Sequence, residues 1–231
     1  EKLNKLSIVA FSMLYSLCAY SIVYQSNTMW MDALIWLPLL TLGVESLVKY
    51  GKYKLFVISL TLTLTSNYYI GYMSCIFVLL YFFYYTYAHK DNFANNPLRE
   101  KNHFVKSLIR TALYSALAIC IAAVIILGAY YSLTFGKNEF SDTNYDIYPR
   151  ITFFDVLFKL FPGTYDTVRI PNFTVEEVAT GGFPFIYCGV ITLILIPVFF
   201  MSKKFTLREK IGAGAFIGFF ILSFVISILD I

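Results

Sequence analysis

Long apolar runs separated by short basic or polar connectors make up most of this 231-residue chain. The longest run lies between Lys54 and His89 and contains no charged side chain. A membrane-spanning helix needs roughly 20 residues, so this run must cross a bilayer twice or form one long tilted helix. The place within this run that most favours a turn is Ser-Asn-Tyr-Tyr at 66–69. The pattern therefore places any turn of the chain at Asn67.

The same pattern predicts seven membrane spans. They cover approximately residues 6–24, 30–48, 54–67, 69–88, 108–133, 183–201 and 211–229. Residues 135–182 form the one long polar stretch. We expect a single transmembrane domain over 1–231. Because the chain starts at Glu1 without a Met and stops at Ile231, at the end of an apolar run, we also expect it to be an internal piece of a longer protein. A cleaved signal peptide is the alternative explanation of Glu1, but no small-residue cleavage site follows.

Composition agrees with this pattern. Hydrophobic residues are 58% of the chain and charged residues 14%, whereas typical soluble domains carry about 25% charged residues. The predicted fold is therefore an all-α, polytopic helical bundle in a membrane. The net charge of +4 does not indicate a nucleic-acid partner, because the basic residues lie between spans, where lipid head groups explain them.

Basic connectors set the expected topology. Cytoplasmic connectors are enriched in Lys and Arg, which assigns residues 1–5, 49–54, 89–107 and 202–210 to the cytoplasm and residues 25–31 and 135–182 to the outside. Both ends of the Lys54–His89 run are then cytoplasmic, which favours a hairpin with its tip at Asn67 near the outer surface. Its first arm is short for a full span. One long helix instead would place the connector at 202–210 outside.

Small residues indicate where helices could pack closely, at Gly214-xxx-Gly218 and, more weakly, at Ala118-xxx-Ala122. In the outer stretch, Thr152-Phe-Phe-Asp155 resembles a capping box that opens an apolar helix. Such a helix would lie in the outer membrane–water interface. It could border the entry of a lipid-borne substrate or simply cover the bundle.

Two carboxylates lie at the edges of spans, where charge is costly and often functional. Asp32 is at the predicted outer end and is the in-chain candidate for a catalytic acid or base, or alternatively a residue favoured at a helix start. Glu45 is four residues before Lys49, so a structural ion pair is the simpler interpretation.

The remaining candidates are also predicted to lie outside. Asn67, Tyr68, Tyr69 and Tyr72 could bind a carbohydrate or lipid head group, although Asn also favours turns. Arg150 and Arg169 could grip a phosphate, or pair with outer-loop carboxylates. No metal site or cofactor is predicted, because His89 and His103 are isolated and the four cysteines form no CxxC pair.

Two blocks, 29–45 and 66–73, resemble the bacterial YfhO membrane proteins, with weaker similarity at 161–166, 182–189 and 207–210. The resemblance implies a GT-C-type glycosyltransferase of Gram-positive bacteria. It would take sugar from a polyprenyl-phosphate donor to an anionic cell-wall polymer such as teichoic acid, at the outer face of the cytoplasmic membrane. The family's catalytic aspartate is expected upstream of the matched blocks, so the catalytic residue is not assigned here.

Two other functions remain open at this point. A transporter or permease subunit would show internal repeats and polar or broken helices at mid-membrane, and no convincing repeat is present. A non-catalytic scaffold could present lipid-linked intermediates to a partner enzyme. The sugar, the acceptor, the metal dependence and the oligomeric state are not determined by the sequence.

Overall fold

The computed structural model of the chain describes residues 4–90, 98, 102–136, 160 and 187–225. Every regular element in these ranges is an α-helix, as the sequence predicted. The helices are α1 (Lys5–Ser16), α2 (Ala19–Val23), α3 (Thr28–Tyr50), α4 (Lys54–Ser66), α5 (Tyr68–Ala88), α6 (His103–Ile121), α7 (Ala123–Gly136), α8 (Val190–Met201) and α9 (Leu207–Val225).

Three of the described helices are long and apolar enough to cross a bilayer. They correspond to Trp30–Tyr50 within α3, to α5 and to α6. Four further apolar helices are shorter, namely Lys5–Ser16, Lys54–Ser66, Ala123–Ser132 and Val190–Met201. This count is below the seven full spans predicted from the sequence. The predicted spans 6–24 and 108–133 are each divided into two helices, and the helix within 183–201 begins at Val190. The end of the predicted span 211–229 lies outside the described residues.

One compact unit contains α1, α2, α8 and the end of α9 from Gly218 onward. The predicted span 6–24 is divided here, since α1 ends at Ser16 and Cys18 adopts an extended backbone before α2. The amide of Ala19 donates to the carbonyl of Tyr187 at 2.9 Å, just before α8. This long-range hydrogen bond satisfies a backbone amide at the start of α2 and helps stabilise the break between α1 and α2.

The second unit contains α3 to α7 and the first part of α9, up to Ile217. Gly51 ends α3 in the left-handed conformation, and its amide donates to the Leu47 carbonyl at 2.9 Å. The chain then reverses into α4, which packs so tightly that a Cβ at Gly43 would lie 2.8 Å from Phe56 Cα. A second reversal at Asn67 leads into α5. Helices α3 and α5 therefore run in the same direction, with α4 antiparallel to both.

The apolar core of this unit lies where α3, α4 and α5 meet the end of α6. Its fully buried members include Leu40, Val44, Leu47, Val48, Phe56, Leu60, Phe82, Ala118 and Ala122. Ala118 and Ala122 are thus packed in the core, as their spacing predicted. On α4, the buried hydroxyls of Ser59 and Thr63 donate to the carbonyls of Leu55 and Ser59 at 2.8 Å. Their polar groups are satisfied within the helix.

The predicted span 108–133 is represented by two consecutive helices with one residue between them. Helical hydrogen bonding continues across Ala122, whose amide donates to Ala118 and whose carbonyl accepts from Ile126. Together the two helices run from His103 to Gly136, so they begin before and end after the predicted span 108–133. The expectation of one transmembrane domain over 1–231 stays a prediction.

Candidate functional site

The α4–α5 turn and the start of α5 contain Asn67 and the three tyrosines predicted to lie at the outer face. Asn67 has an extended backbone, and its Oδ1 accepts from the amides of Tyr69 at 3.0 Å and Ile70 at 3.2 Å. This is an N-cap, which satisfies donors that a helix start leaves unpaired. The hairpin interpretation of 54–88 therefore holds, and the Asn67 amide oxygen already has a structural role.

Close packing fixes this turn. A Cβ at Gly71 would lie 2.9 Å from Leu64 Cα and 3.0 Å from Leu64 Cδ2. Only a residue without a side chain allows the first turn of α5 to approach α4 so closely. The close packing therefore fixes the backbone that carries the neighbouring side chains.

Tyr68, Tyr69 and Tyr72 lie on the surface at the start of α5, with 42%, 47% and 53% of their area exposed. Positions 68 and 72 are one helical turn apart, and 69 adjoins them, so the three share one side of α5. Together they present aromatic faces and hydroxyl groups. We refer to these three residues as the tyrosine patch.

Asp32 is exposed in the first part of α3. Because α3 and α5 run in the same direction, Asp32 and the tyrosine patch lie at the same end of the second unit. That end is opposite the basic connector 49–54. Arg150 and Arg169, the predicted phosphate-binding residues, lie outside the described residues, as does the interfacial helix predicted to follow Thr152.

At the other end, the half-buried carboxylate of Glu45 has a partner that the sequence did not indicate. Tyr81 on α5 donates its hydroxyl to Glu45 Oε1 at 2.6 Å. The predicted partner was Lys49, but its Nζ lies over the Tyr50 ring, 5.1 Å from the centroid. Sequence spacing favoured the residue four positions away on the same helix, whereas helix packing supplied one 36 positions away.

Aromatic rings surround this hydrogen bond. Phe77 stacks on Tyr81 with ring centroids 5.8 Å apart, and Phe216 of α9 meets Tyr81 edge-on at 6.3 Å. Tyr84 also packs against Phe216. These rings pack around Tyr81, whose hydroxyl is the donor that the structure places against the Glu45 carboxylate.

Helix α9 begins nearby with a capping box. Glu209 Oε2 accepts from the Thr206 amide at 2.7 Å, and the Glu209 amide donates to Thr206 Oγ1 at 3.3 Å. The other carboxylate oxygen of Glu209 lies 4.0 Å from Nε2 of His89. The reciprocal cap explains why α9 starts at Leu207, four residues before the predicted span.

In the part of the chain that the structure describes, no group of three or more His, Cys, Asp or Glu residues is placed to hold a metal ion. Cys18, Cys75, Cys120 and Cys188 are free thiols.

Within the described ranges, three apolar helices of spanning length define an integral, multi-spanning membrane protein. A family model described as "Bacterial membrane protein YfhO" matches residues 1–231. The chain belongs to this YfhO family, which confirms the resemblance seen in the sequence.

One curated relative is the "Uncharacterized protein YfhO" of Bacillus subtilis (strain 168). It is 38% identical over 50 residues, which cover 22% of this chain and 6% of that protein. The match thus spans a small part of that relative's length. No solved structure matches the chain.

Proposed function

We propose that this chain is part of a membrane glycosyltransferase that acts at the outer face of the bacterial cytoplasmic membrane. It would move a sugar from a polyprenyl-phosphate carrier to a cell-surface polymer such as teichoic acid. Family membership supports the membrane location of this activity, and the transfer of a sugar is what the sequence resemblance implies. The observation that carries it is the tyrosine patch, which is exposed on a rigid helix start at the end opposite the basic connector.

The patch suits a sugar because aromatic faces pack against the apolar side of a pyranose ring while hydroxyls bond its polar edge. Tyr68, Tyr69 and Tyr72 would hold the sugar or the acceptor. Asn67 would act indirectly, by capping the helix that carries them.

The remaining roles fall to charged residues. Arg150 or Arg169 would neutralise the departing phosphate, since guanidinium binds phosphate oxygens by two parallel hydrogen bonds. Asp32 would be the candidate acid or base within this chain, because its exposed carboxylate lies at the same end as the patch. Membrane lipids and the lipid-linked donor are the expected partners.

The decisive experiment is mass spectrometry of purified teichoic acids from the host with and without the parent gene. We expect a hexose or N-acetylhexosamine substituent to disappear on deletion and to return with the intact gene. Unchanged decoration in a strain that normally carries the substituent would contradict transferase function, and transport or scaffolding would then be the better interpretation.

Variants of the intact protein test the residues. Replacing Tyr68, Tyr69 and Tyr72 together with alanine should reduce the substituent at least tenfold at equal protein level. Tyr50→Ala is the matched control, because Tyr50 is a comparably exposed tyrosine (47%) at the other end of the unit. Alanine at both Arg150 and Arg169 should abolish transfer, and unchanged transfer would refute the phosphate role.

A further inference from the structure

A cavity of about 700 Å³ lies between the last turn of α5 and the first turn of α6. It is separate from the tyrosine patch, because it is at the opposite end of α5. Its volume is within the usual range for sites that hold small molecules, roughly 300–1,000 Å³. The cavity therefore has room for a ligand larger than water or a simple ion.

The lining of the cavity contains both apolar and polar side chains. Phe83, Tyr87 and Phe104 are its aromatic part, and each remains between 45% and 47% exposed. Phe104 also packs on Phe82 with ring centroids 6.0 Å apart, so the wall joins α5 to α6. A wall of half-exposed aromatic rings on a membrane helix is in reach of lipid chains.

The rest of the lining includes polar and basic groups. Lys90 supplies an ammonium group, and Asn102 and His103 supply further hydrogen-bonding groups. Asn102 precedes α6 with a left-handed backbone and makes no side-chain cap hydrogen bond. The first-turn amides of α6 and the positive end of its dipole favour an anion here. The Lys90 ammonium group and the start of α6 line the same cavity, and both favour a phosphate.

We propose that this cavity binds one anionic phospholipid of the inner leaflet. The phosphate would lie against Lys90 and the start of α6, and an acyl chain would lie along Phe83, Tyr87 and Phe104. Charge complementarity selects an anionic head group, and the aromatic wall selects a ligand with a lipid tail rather than a free phosphate ester. Basic pockets between membrane helices on the cytoplasmic side are suited to such head groups.

Native mass spectrometry of the intact, detergent-solubilised protein tests this proposal. Phosphatidylglycerol and phosphatidylcholine with identical acyl chains are titrated separately, and soluble glycerol 3-phosphate is added as a competitor. We expect saturable binding of one phosphatidylglycerol, weaker binding of phosphatidylcholine, and no displacement by glycerol 3-phosphate.

Charge-neutral variants locate the site. Lys90→Gln should weaken phosphatidylglycerol binding about fivefold, because each basic residue near an anionic lipid surface contributes roughly that factor. Lys52→Gln is the matched control, since Lys52 is also exposed on a basic connector but lies over the Tyr50 ring, away from the cavity. The affinity of the Lys52→Gln variant for phosphatidylglycerol should be unchanged.

Three results would overturn the proposal. Equal binding of the two phospholipids would remove the role of charge, and equal losses in Lys90→Gln and Lys52→Gln would indicate diffuse attraction without a site. Displacement by glycerol 3-phosphate would assign the cavity to a soluble phosphate ester. Both substitutions are at exposed positions, so the variants should fold, and their unfolding temperatures in lipid-free detergent provide the check.

Discussion

A Cβ atom at Gly43 would lie 2.8 Å from Cα and 2.9 Å from N of Phe56. Helices α3 and α4 are therefore in backbone contact at this point, with no flexible side chain between them that could move aside. Phe56 itself is fully buried. This contact fixes how α3 and α4 pack in the second unit.

Gly43→Ala should accordingly destabilise the protein by about 1–3 kcal/mol, the usual cost of overpacking a tight core. The measurement is the unfolding temperature of the purified protein in detergent. Gly128→Ala is the control, because among the described residues no atom lies within 4 Å of a Cβ built there. Equal stability of the two variants would show that α3 and α4 can separate without cost.

Tyr81→Phe should cost about 1.5–3 kcal/mol, since it removes the hydroxyl that bonds the half-buried Glu45 carboxylate. Glu45→Gln in the same background should recover part of that loss, because an amide tolerates the site better than an unpaired charge. A double-mutant cycle of unfolding free energies measures this coupling. Additive losses would show that the 2.6 Å bond contributes no interaction energy.

Asn67→Ala should destabilise the α4–α5 turn by about 1 kcal/mol, because two amides of α5 lose their acceptor. Asn67→Asp keeps an acceptor at the N-cap and should retain stability. Comparing both variants in the sugar-transfer assay separates capping from substrate contact. If Asn67→Asp is stable yet inactive, the Asn67 amide group itself contacts substrate.

Membrane-impermeant thiol reagents applied to intact cells test the topology. Cysteine introduced at Tyr68 should be labelled, because the basic connectors place that end of α5 outside. Cysteine at Lys52 should react only after the membrane is permeabilised. The background protein needs Ser at the four native cysteines, all of which are free. Labelling of the Lys52 variant in intact cells would invert the assignment.

Local sequence was sufficient to predict the division between α4 and α5, because Asn67 both interrupts the apolar run and caps the next helix. It did not reveal the break between α1 and α2. The bond that holds that break joins Ala19 to Tyr187, and nothing near Cys18 signals it.

Glycine spacing in the sequence also failed to identify which glycines make close contacts between helices. In α9 the motif pointed to Gly214 and Gly218, yet no described atom lies within 4 Å of a Cβ built at Gly218. Gly212 makes the close approach instead, with Tyr84 Cδ2 3.2 Å away. Gly43 has the tightest contact among the described glycines and belongs to no motif. Which glycine is needed depends on the neighbouring helix, and local spacing does not reveal that neighbour.

The sequence predicted that the residues of the candidate site lie at the outer end of the helices. Of these residues, Asp32, Asn67 and the tyrosine patch are described by the structure, and they lie at one end of the second unit. The Glu45–Tyr81 bond and the cavity beside Lys90 were missed. Both join side chains of different helices, and one-dimensional periodicity carries no information about such pairs.

The 13 residues of α4 also bear on how the protein enters its membrane. At 1.5 Å per residue this helix is about 20 Å long, well short of a hydrocarbon core of about 30 Å. We therefore expect α4 to enter the bilayer together with the 21 residues of α5, as one hairpin. In the folded protein its close contact with α3 at Gly43 supplies packing that so short a helix cannot obtain from the lipid alone.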